Sequence, residues 1–218
     1  MKSKALVLAG ILLVVVLIVG GMFVSGYNQL TGLDQAVRSS WGQVENVYQR
    51  RADLVPNLVE TVKGAASFER ETLKEVTEAR SRAGGQLNVN ASDILENPAQ
   101  FEQFQRAQQD LGRSLSRLMV VSERYPDLKA TQNFRDLQAQ LEGTENRIAV
   151  ARQRYIKSVQ DYNTTVRQFP ANLTAMVFGY KPKPNFTVEN EAVIAKPPTV
   201  DFNKPAPAGA QPPAAPKQ

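Results

Sequence analysis

The chain has 218 residues, enough for one folded domain with a sizeable core plus appendages. It contains neither cysteine nor histidine, which removes thiolate nucleophiles, disulfides, histidine general bases, Cys or His zinc sites and the Glu-x-x-His di-iron pattern, and leaves no thiol to report a redox compartment. The net charge of +5 lies mostly outside the central region: Ser25 to Tyr180 carry nineteen Lys and Arg against eighteen Asp and Glu, so composition makes no phosphate-tracking surface and no nucleic-acid partner is expected.

After a short basic N-terminus, Met1 to Lys4, the stretch from Ala5 to Val24 runs twenty residues without a charge, Asn, Gln or Pro. At 1.5 Å per residue it spans roughly 30 Å, the hydrocarbon thickness of a bilayer, and it is longer than the apolar run of about 7 to 15 residues in a cleaved signal peptide. It is therefore read as a transmembrane helix.

From Tyr27 the pattern becomes helical: Leu30, Val37, Val44, Leu58 and Ala65 lie on one seven-residue repeat, with Leu33, Val47 and Leu54 three positions after and Trp41, Tyr48, Val55 and Val62 four after. Pro56 predicts a bend near Ala52 to Pro56, and Gly64 the helix end. A second helix is expected from about Phe68 to Ala83, stopped by Gly84-Gly85, and then a surface loop from Gln86 to Glu96. Asn97-Pro98 reads as an N-cap with proline at the first helical position, opening a third helix whose apolar face is Phe101, Phe104, Leu111, Leu115, Leu118 and Val121, and which Tyr125-Pro126 closes. The fourth helix carries Phe134, Leu141, Ile148, Tyr155, Tyr162 and Phe169 at intervals of seven, supported by Leu137, Ala151, Val159 and Val166.

Two long helices with two shorter ones between them predict an all-α fold: a single N-terminal span, Ala5 to Val24, then an elongated antiparallel four-helix bundle over 25–180. Leu173 to Tyr180 is apolar enough to pack on that bundle as a helical turn. Lys181 to Gln218 holds nine of the thirteen prolines and few large apolar residues, which predicts a disordered Pro-rich tail whose removal hardly changes stability. A fragment from Tyr27 to Tyr180 is expected to fold alone.

Several segments resemble the LemA family: Leu33-Asp34-Gln35-Ala36-Val37, the run from Gln43 to Val59, Val121-Ser122-Glu123-Arg124-Tyr125-Pro126-Asp127-Leu128-Lys129-Ala130, the run from Leu141 to Arg152, and Phe178-Gly179-Tyr180-Lys181-Pro182. The likeness runs from about Gly26 to Pro184 and leaves the tail outside. It implies a bacterial membrane protein with one N-terminal span and a helical domain. It brings no catalytic residues, because no activity is attached to the family.

The candidate site comes from a break in the pattern. Arg51 occupies the repeat position otherwise filled by Leu30, Val37, Val44 and Leu58. Setting the first and fourth helices antiparallel, with Leu30 beside Phe169 and Ala65 beside Phe134, puts Arg51 level with Ile148 and one turn from Glu145. Arg50, Arg51, Asp53, Glu145 and Arg147, with Glu142 nearby, are thus read either as a buried ion pair that fixes register or as a partner site at the bend, the ion pair being the simpler reading. Trp41, Tyr48, Tyr155 and Tyr162 are read as core rather than a ligand cleft, and Glu78 and Arg82 as a surface pair.

No residue is assigned to catalysis, a cofactor or a metal, and no cofactor is expected. The function expected is a membrane-anchored scaffold or interaction protein of the bacterial cell envelope, working with the bilayer and with another envelope protein or a second copy. The alternatives are a carboxylate-based hydrolytic enzyme subunit and a membrane-shaping oligomer. In the inner membrane, Lys2, Lys4 and the free amine outweigh Arg38, the only basic residue between the span and Arg50, which predicts an extracytoplasmic bundle, the alternative being a cytoplasmic one.

Overall fold

The computed structural model describes residues 2–65 and 69–186. These form seven helices: α1 (Lys2–Ala65), α2 (Arg70–Leu87), α3 (Ala91–Glu96), α4 (Pro98–Ser122), α5 (Pro126–Ala130), α6 (Gln132–Arg167) and α7 (Ala171–Phe178). Among the described residues there is no strand.

The apolar N-terminal run and the first helix of the folded domain are one continuous element of 64 residues. The apolar part of α1 is long enough to cross a membrane, and Ile11 to Val19 are all exposed on its surface. Beyond Tyr27, the stripe residues Leu30, Val37, Trp41, Val44, Tyr48, Val55, Leu58 and Val62 are buried. α1 packs on α6 and α2, and α2 packs on α4.

Pro56 lies inside α1 without ending it. A proline at that position cannot donate to the Ala52 carbonyl one turn earlier. The structure supplies another donor, because Arg80 Nε of α2 reaches that oxygen at 2.9 Å. The proline thus creates an inter-helix bond at the level where the sequence suggests a bend.

α2 continues through Gly84-Gly85 to Leu87, against the expected stop. Two glycines cost about 1 kcal/mol each in a helix interior, but Ala83 before them is fully buried and Leu87 after them packs on the core. The expected start at Phe68 falls outside the described residues. Gln86 to Glu96 is likewise more than a surface loop. Asn90 accepts from the Ser92 N–H at 2.9 Å and caps α3, which turns Ile94 and Leu95 fully inward.

The expected start of α4 is present: Pro98 is its first residue, and Asn97 Oδ1 accepts from the Ala99 N–H at 3.0 Å. α6 opens at Thr131, whose hydroxyl caps Phe134 N, and runs 36 residues. Its register on α1 is set by the contacts Trp41 with Tyr155, Gln43 with Arg154 and Arg51 with Glu145, two to three residues from the level set by pairing Leu30 with Phe169. Phe169 cannot close the stripe, because it lies beyond the end of α6 and is 76 % exposed.

α7 is two turns rather than one and ends at Gly179, whose φ of 75° is the left-handed conformation of a helix C-cap. At its other contact, Gly26 of α1 meets Thr174 so closely that a Cβ there would lie 2.7 Å from the threonine Oγ1. Only glycine allows that approach without a shift.

Lys181 to Phe186 corrects the expected tail boundary. This extended strap runs antiparallel along α6: Tyr162 Oη donates to the Lys181 carbonyl at 3.0 Å, Asn163 Nδ2 to Lys183 O at 2.9 Å, and Tyr155 Oη to Pro184 O at 2.9 Å. Prolines lack an N–H but keep their carbonyls, so an acceptor-rich strap suits hydroxyl and amide donors on the helix. Phe186 ends it by entering the core against Trp41, Phe101 and Tyr155. The rest of the expected tail, 187–218, lies outside the described residues.

The core itself is in two parts. One joins Trp41, Tyr48, Phe101, Phe104, Tyr155, Tyr162 and Phe186 with aliphatic neighbours. The other is built of Val55, Leu58, Val62, Leu73, Val76, Leu111, Leu115, Leu118 and Leu128, with Phe134 as its aromatic member.

Candidate functional site

Between these two parts lies a polar layer. Arg51 is 3 % exposed and sits between Tyr48 and Val55 on the inner face of α1. Its Nη2 donates to both the backbone carbonyl and the Oε1 of Gln108, each at 2.8 Å, and its Nη1 donates to Glu145 Oε1 at 3.1 Å. The guanidinium carbon lies 4.9 Å from the centre of the Tyr48 ring. Gln108 in turn donates from Nε2 to the Ala83 carbonyl of α2 at 3.3 Å. One buried cation therefore ties α1 to α4 and α6, and through Gln108 to α2. A fork of several donors is what lets arginine do this where lysine, a point charge, could not.

The other sequence-selected residues are placed differently. Glu145 reaches Arg51 from the half-exposed side of α6. Asp53 points outward and accepts from Gln49 Nε2 at 2.7 Å. Arg50 and Arg147 are exposed, together line a hollow of about 290 Å³ with Gln140 and Gly143, and have no ion-pair partner among the described residues. Beside it a groove of about 560 Å³ runs between α1 and α6, lined by Asn46, Val47, Asn146, Arg147, Val150 and Arg154. The proposed surface pair of Glu78 with Arg82 is replaced by Lys74 with Glu78 at 3.7 Å.

A second polar cluster has no counterpart in the sequence reading. Asp34 accepts from Arg38 Nε at 2.8 Å and pairs with Lys183 of the strap at 2.9 Å, while Arg38 also reaches Ser92 of α3 at 2.8 Å and Glu96 at 3.4 Å. Burial pushes the Asp34 carboxyl up, but Lys183 and Arg38 outweigh it and hold the group below the usual carboxylate range. Lys183 is itself buried, 5.4 Å from the Tyr162 ring centre. A cleft of about 550 Å³ opens beside this cluster, between Tyr27, Glu96, Tyr180 and Lys181. What could have revealed the cluster is the pair Asp34 and Arg38, four apart on a helix; nothing in the sequence marks Lys183 as their partner.

Burial also raises Glu45, only partly offset by the Trp41 Nε1–H bond at 2.7 Å, and pushes Tyr162 up to about 12. Glu45 is an isolated carboxyl bonded to a core indole. Among the described residues no group of three or more metal-ligating side chains converges.

The LemA family model matches residues 40–202, starting and ending later than the stretch from Gly26 to Pro184 and taking in part of the region assigned to the tail. The chain is 24 % identical over 169 residues to Magnetosome protein MamQ 2 of Paramagnetospirillum magneticum and 23 % to Magnetosome protein MamQ of Magnetospirillum gryphiswaldense. In both, the aligned part is 71 % of this chain and 62 % of the relative, so the chain spans less than two thirds of their length. It is 22 % identical over 154 residues to Protein LemA of Metamycoplasma hominis, covering 65 % of that protein.

Proposed function

Because the chain belongs to the LemA family, we propose that it is a membrane-anchored interaction protein of the cell envelope: the apolar part of α1 spans the bilayer and the four long helices form a bundle that presents the α1/α6 groove to a protein partner. One observation carries the reading. The buried cations Arg51 and Lys183 are each paired with a carboxylate, whereas Arg50 and Arg147, exposed together beside the groove, have no ion-pair partner among the described residues. Unpaired arginines beside an apolar residue, here Val150, are the composition of an interface centre, and they suit a partner with an acidic surface. The magnetosome relatives support membrane association. We place the span in the inner membrane, where the basic N-terminus favours an extracytoplasmic domain over a cytoplasmic one.

In-cell photo-crosslinking from Asn146 in the full chain tests this. The expected result is one defined adduct with an envelope protein, lost in the Arg50→Glu/Arg147→Glu variant and retained in Arg106→Glu on α4. Absence of any adduct, together with a turnover lost in Glu145→Gln, would replace the scaffold with an enzyme subunit. Placement of the domain is read separately from protease access to a C-terminal tag in spheroplasts.

A further inference from the structure

α7 has its amphipathicity reversed. A helix on the surface of a water-soluble domain turns its large apolar residues inward and its polar ones out. In α7 the buried residues are the small ones, Ala171, Thr174 and Ala175, and the large ones face out: Leu173 is 43 %, Met176 79 %, Val177 66 % and Phe178 54 % exposed. The helix has no charged residue, and Phe169 just before it extends the patch. Single exposed apolar residues are ordinary, but five within ten positions form a patch that needs a covering medium.

Position identifies the medium. α7 packs on α1 where the exposed apolar run ends: Thr174 touches Gly26, and the Phe178 ring lies 4.9 Å from that of Tyr27. Gly26 is two residues past Val24, or about 3 Å along the helix. The patch is therefore continuous with the surface of α1 that extends from Ile11 to Val24. Tyr27 and Tyr180 stand at the junction with rings 6.2 Å apart, and exposed Arg167 and Lys181 flank α7 on either side in the chain. Tyrosines and basic side chains at the edge of an apolar band are the composition of a membrane–water interface.

We propose that α7 is an interfacial membrane helix, its Leu173, Met176, Val177 and Phe178 face seated at the headgroup–acyl boundary of the bilayer that α1 crosses. This rests on the reading of α1 as a span. It gives the domain a second point of membrane contact beside the anchor, and two contacts fix the rotation of the domain about α1 where one would leave it free.

The chain has no cysteine, so single cysteines can be labelled cleanly with an environment-sensitive nitrobenzoxadiazole dye in the full-length protein. Three positions in vesicles of phosphatidylethanolamine and phosphatidylglycerol decide the matter: Met176→Cys on α7, Val15→Cys within the span, and Val120→Cys, exposed on α4. Lipids carrying a nitroxide near the head of the acyl chain should quench the label at 176 several-fold more than that at 120, and more strongly than lipids with a deep nitroxide do. If the label at 15 is quenched but that at 176 behaves like that at 120, the span stands and the interfacial helix is wrong. A label at 176 shielded from aqueous dithionite yet unquenched by either lipid means that protein, a second copy or a partner, covers α7, and this also overturns the proposal. Loss of quenching at 15 as well would remove the span and the proposal with it.

Discussion

The aromatic and aliphatic parts of the core close their open sides by different means. In the aliphatic part α2 does it, placing Leu73, Val76, Ala79 and Ala83 against α1 and α4; its two alanines let the backbones approach. In the aromatic part α2 contributes only its last residue, Leu87, and the side is closed by Ile94 and Leu95 of α3 and by Phe186 of the strap. The first solution is periodic and the second is not. A helix writes its contacts into the sequence every three or four residues, whereas a strap needs one ring at its end and backbone carbonyls that any residue supplies.

The polar layer at Arg51 is where these two solutions meet, so a large effect is expected there. Arg51→Ala should cost about 2 to 3 kcal/mol, because it strips the donors from two buried Gln108 oxygens. Glu145→Ala should cost less, about 1 kcal/mol, since its half-exposed carboxylate is screened by water and Arg51 keeps both Gln108 oxygens and the Tyr48 ring. Denaturant titration of both variants checks the asymmetry; equal losses would mean that Glu145 holds the layer together. A split melting transition in Arg51→Ala alone would show that the layer couples the two halves.

Similar in size are the closures themselves. Leu118→Ala, in the aliphatic part, should cost about 2 to 5 kcal/mol. Phe186→Ala should cost less, about 1.5 to 3 kcal/mol, because the strap can peel away without opening the helices. Hydrogen exchange distinguishes the two: loss of protection confined to α3 and the adjoining part of α6 is expected for Phe186→Ala, and a general loss for Leu118→Ala. General loss in both would erase the distinction between the closures.

Smaller effects appear against pH. Tyr162, bonded to the strap, has a folded pKa of about 12, above its unfolded value of about 10. The stability this provides is complete below about pH 10 and is lost as pH rises toward 12, and Tyr162→Phe should flatten that limb of the stability profile. Asp34 is held below its unfolded value of about 3.9, so its contribution is present above that pH and disappears as pH falls through the lower folded pKa. Asp34→Asn should therefore weaken the protein at neutral pH and match the parent in strong acid. Glu45, raised by burial, has the opposite sign, and Glu45→Gln, which keeps an acceptor for the Trp41 indole, should slightly stabilise the protein at neutral pH.

The same contrast explains what the sequence made legible. The stripes of α1, α4 and α6, the Asn97-Pro98 start and the one out-of-place arginine follow from periodicity and capping; the structure starts α4 at Pro98 and puts Arg51 and the stripes, Phe169 excepted, on the inner face. α3 was hidden because six residues give less than two turns of pattern, and Ile94-Leu95 alone look like any short apolar pair. The strap was hidden by its prolines, which read as disorder when composition is averaged over 181–218; the signals were local, a lone Phe186 and the Asn185 before it. A fragment that keeps the whole described core therefore runs to Phe186 rather than to Tyr180. Of the candidate site, the inner pair of Arg51 and Glu145 could be read from spacing, but the outward position of Arg50 and Arg147 depends on a register the sequence placed two to three residues away.

One more consequence follows from α1 being unbroken between the apolar run and Pro56. Some 25 residues separate Gly26 from Arg51, a lever of about 38 Å with no joint at its base. Spanning helices tilt to match the local hydrocarbon thickness, and a change of about 20° is within their range. With the apolar run spanning a bilayer as proposed, that tilt carried up a stiff rod would sweep the Arg51 level sideways by roughly 13 Å and make the reach of the domain a readout of bilayer thickness.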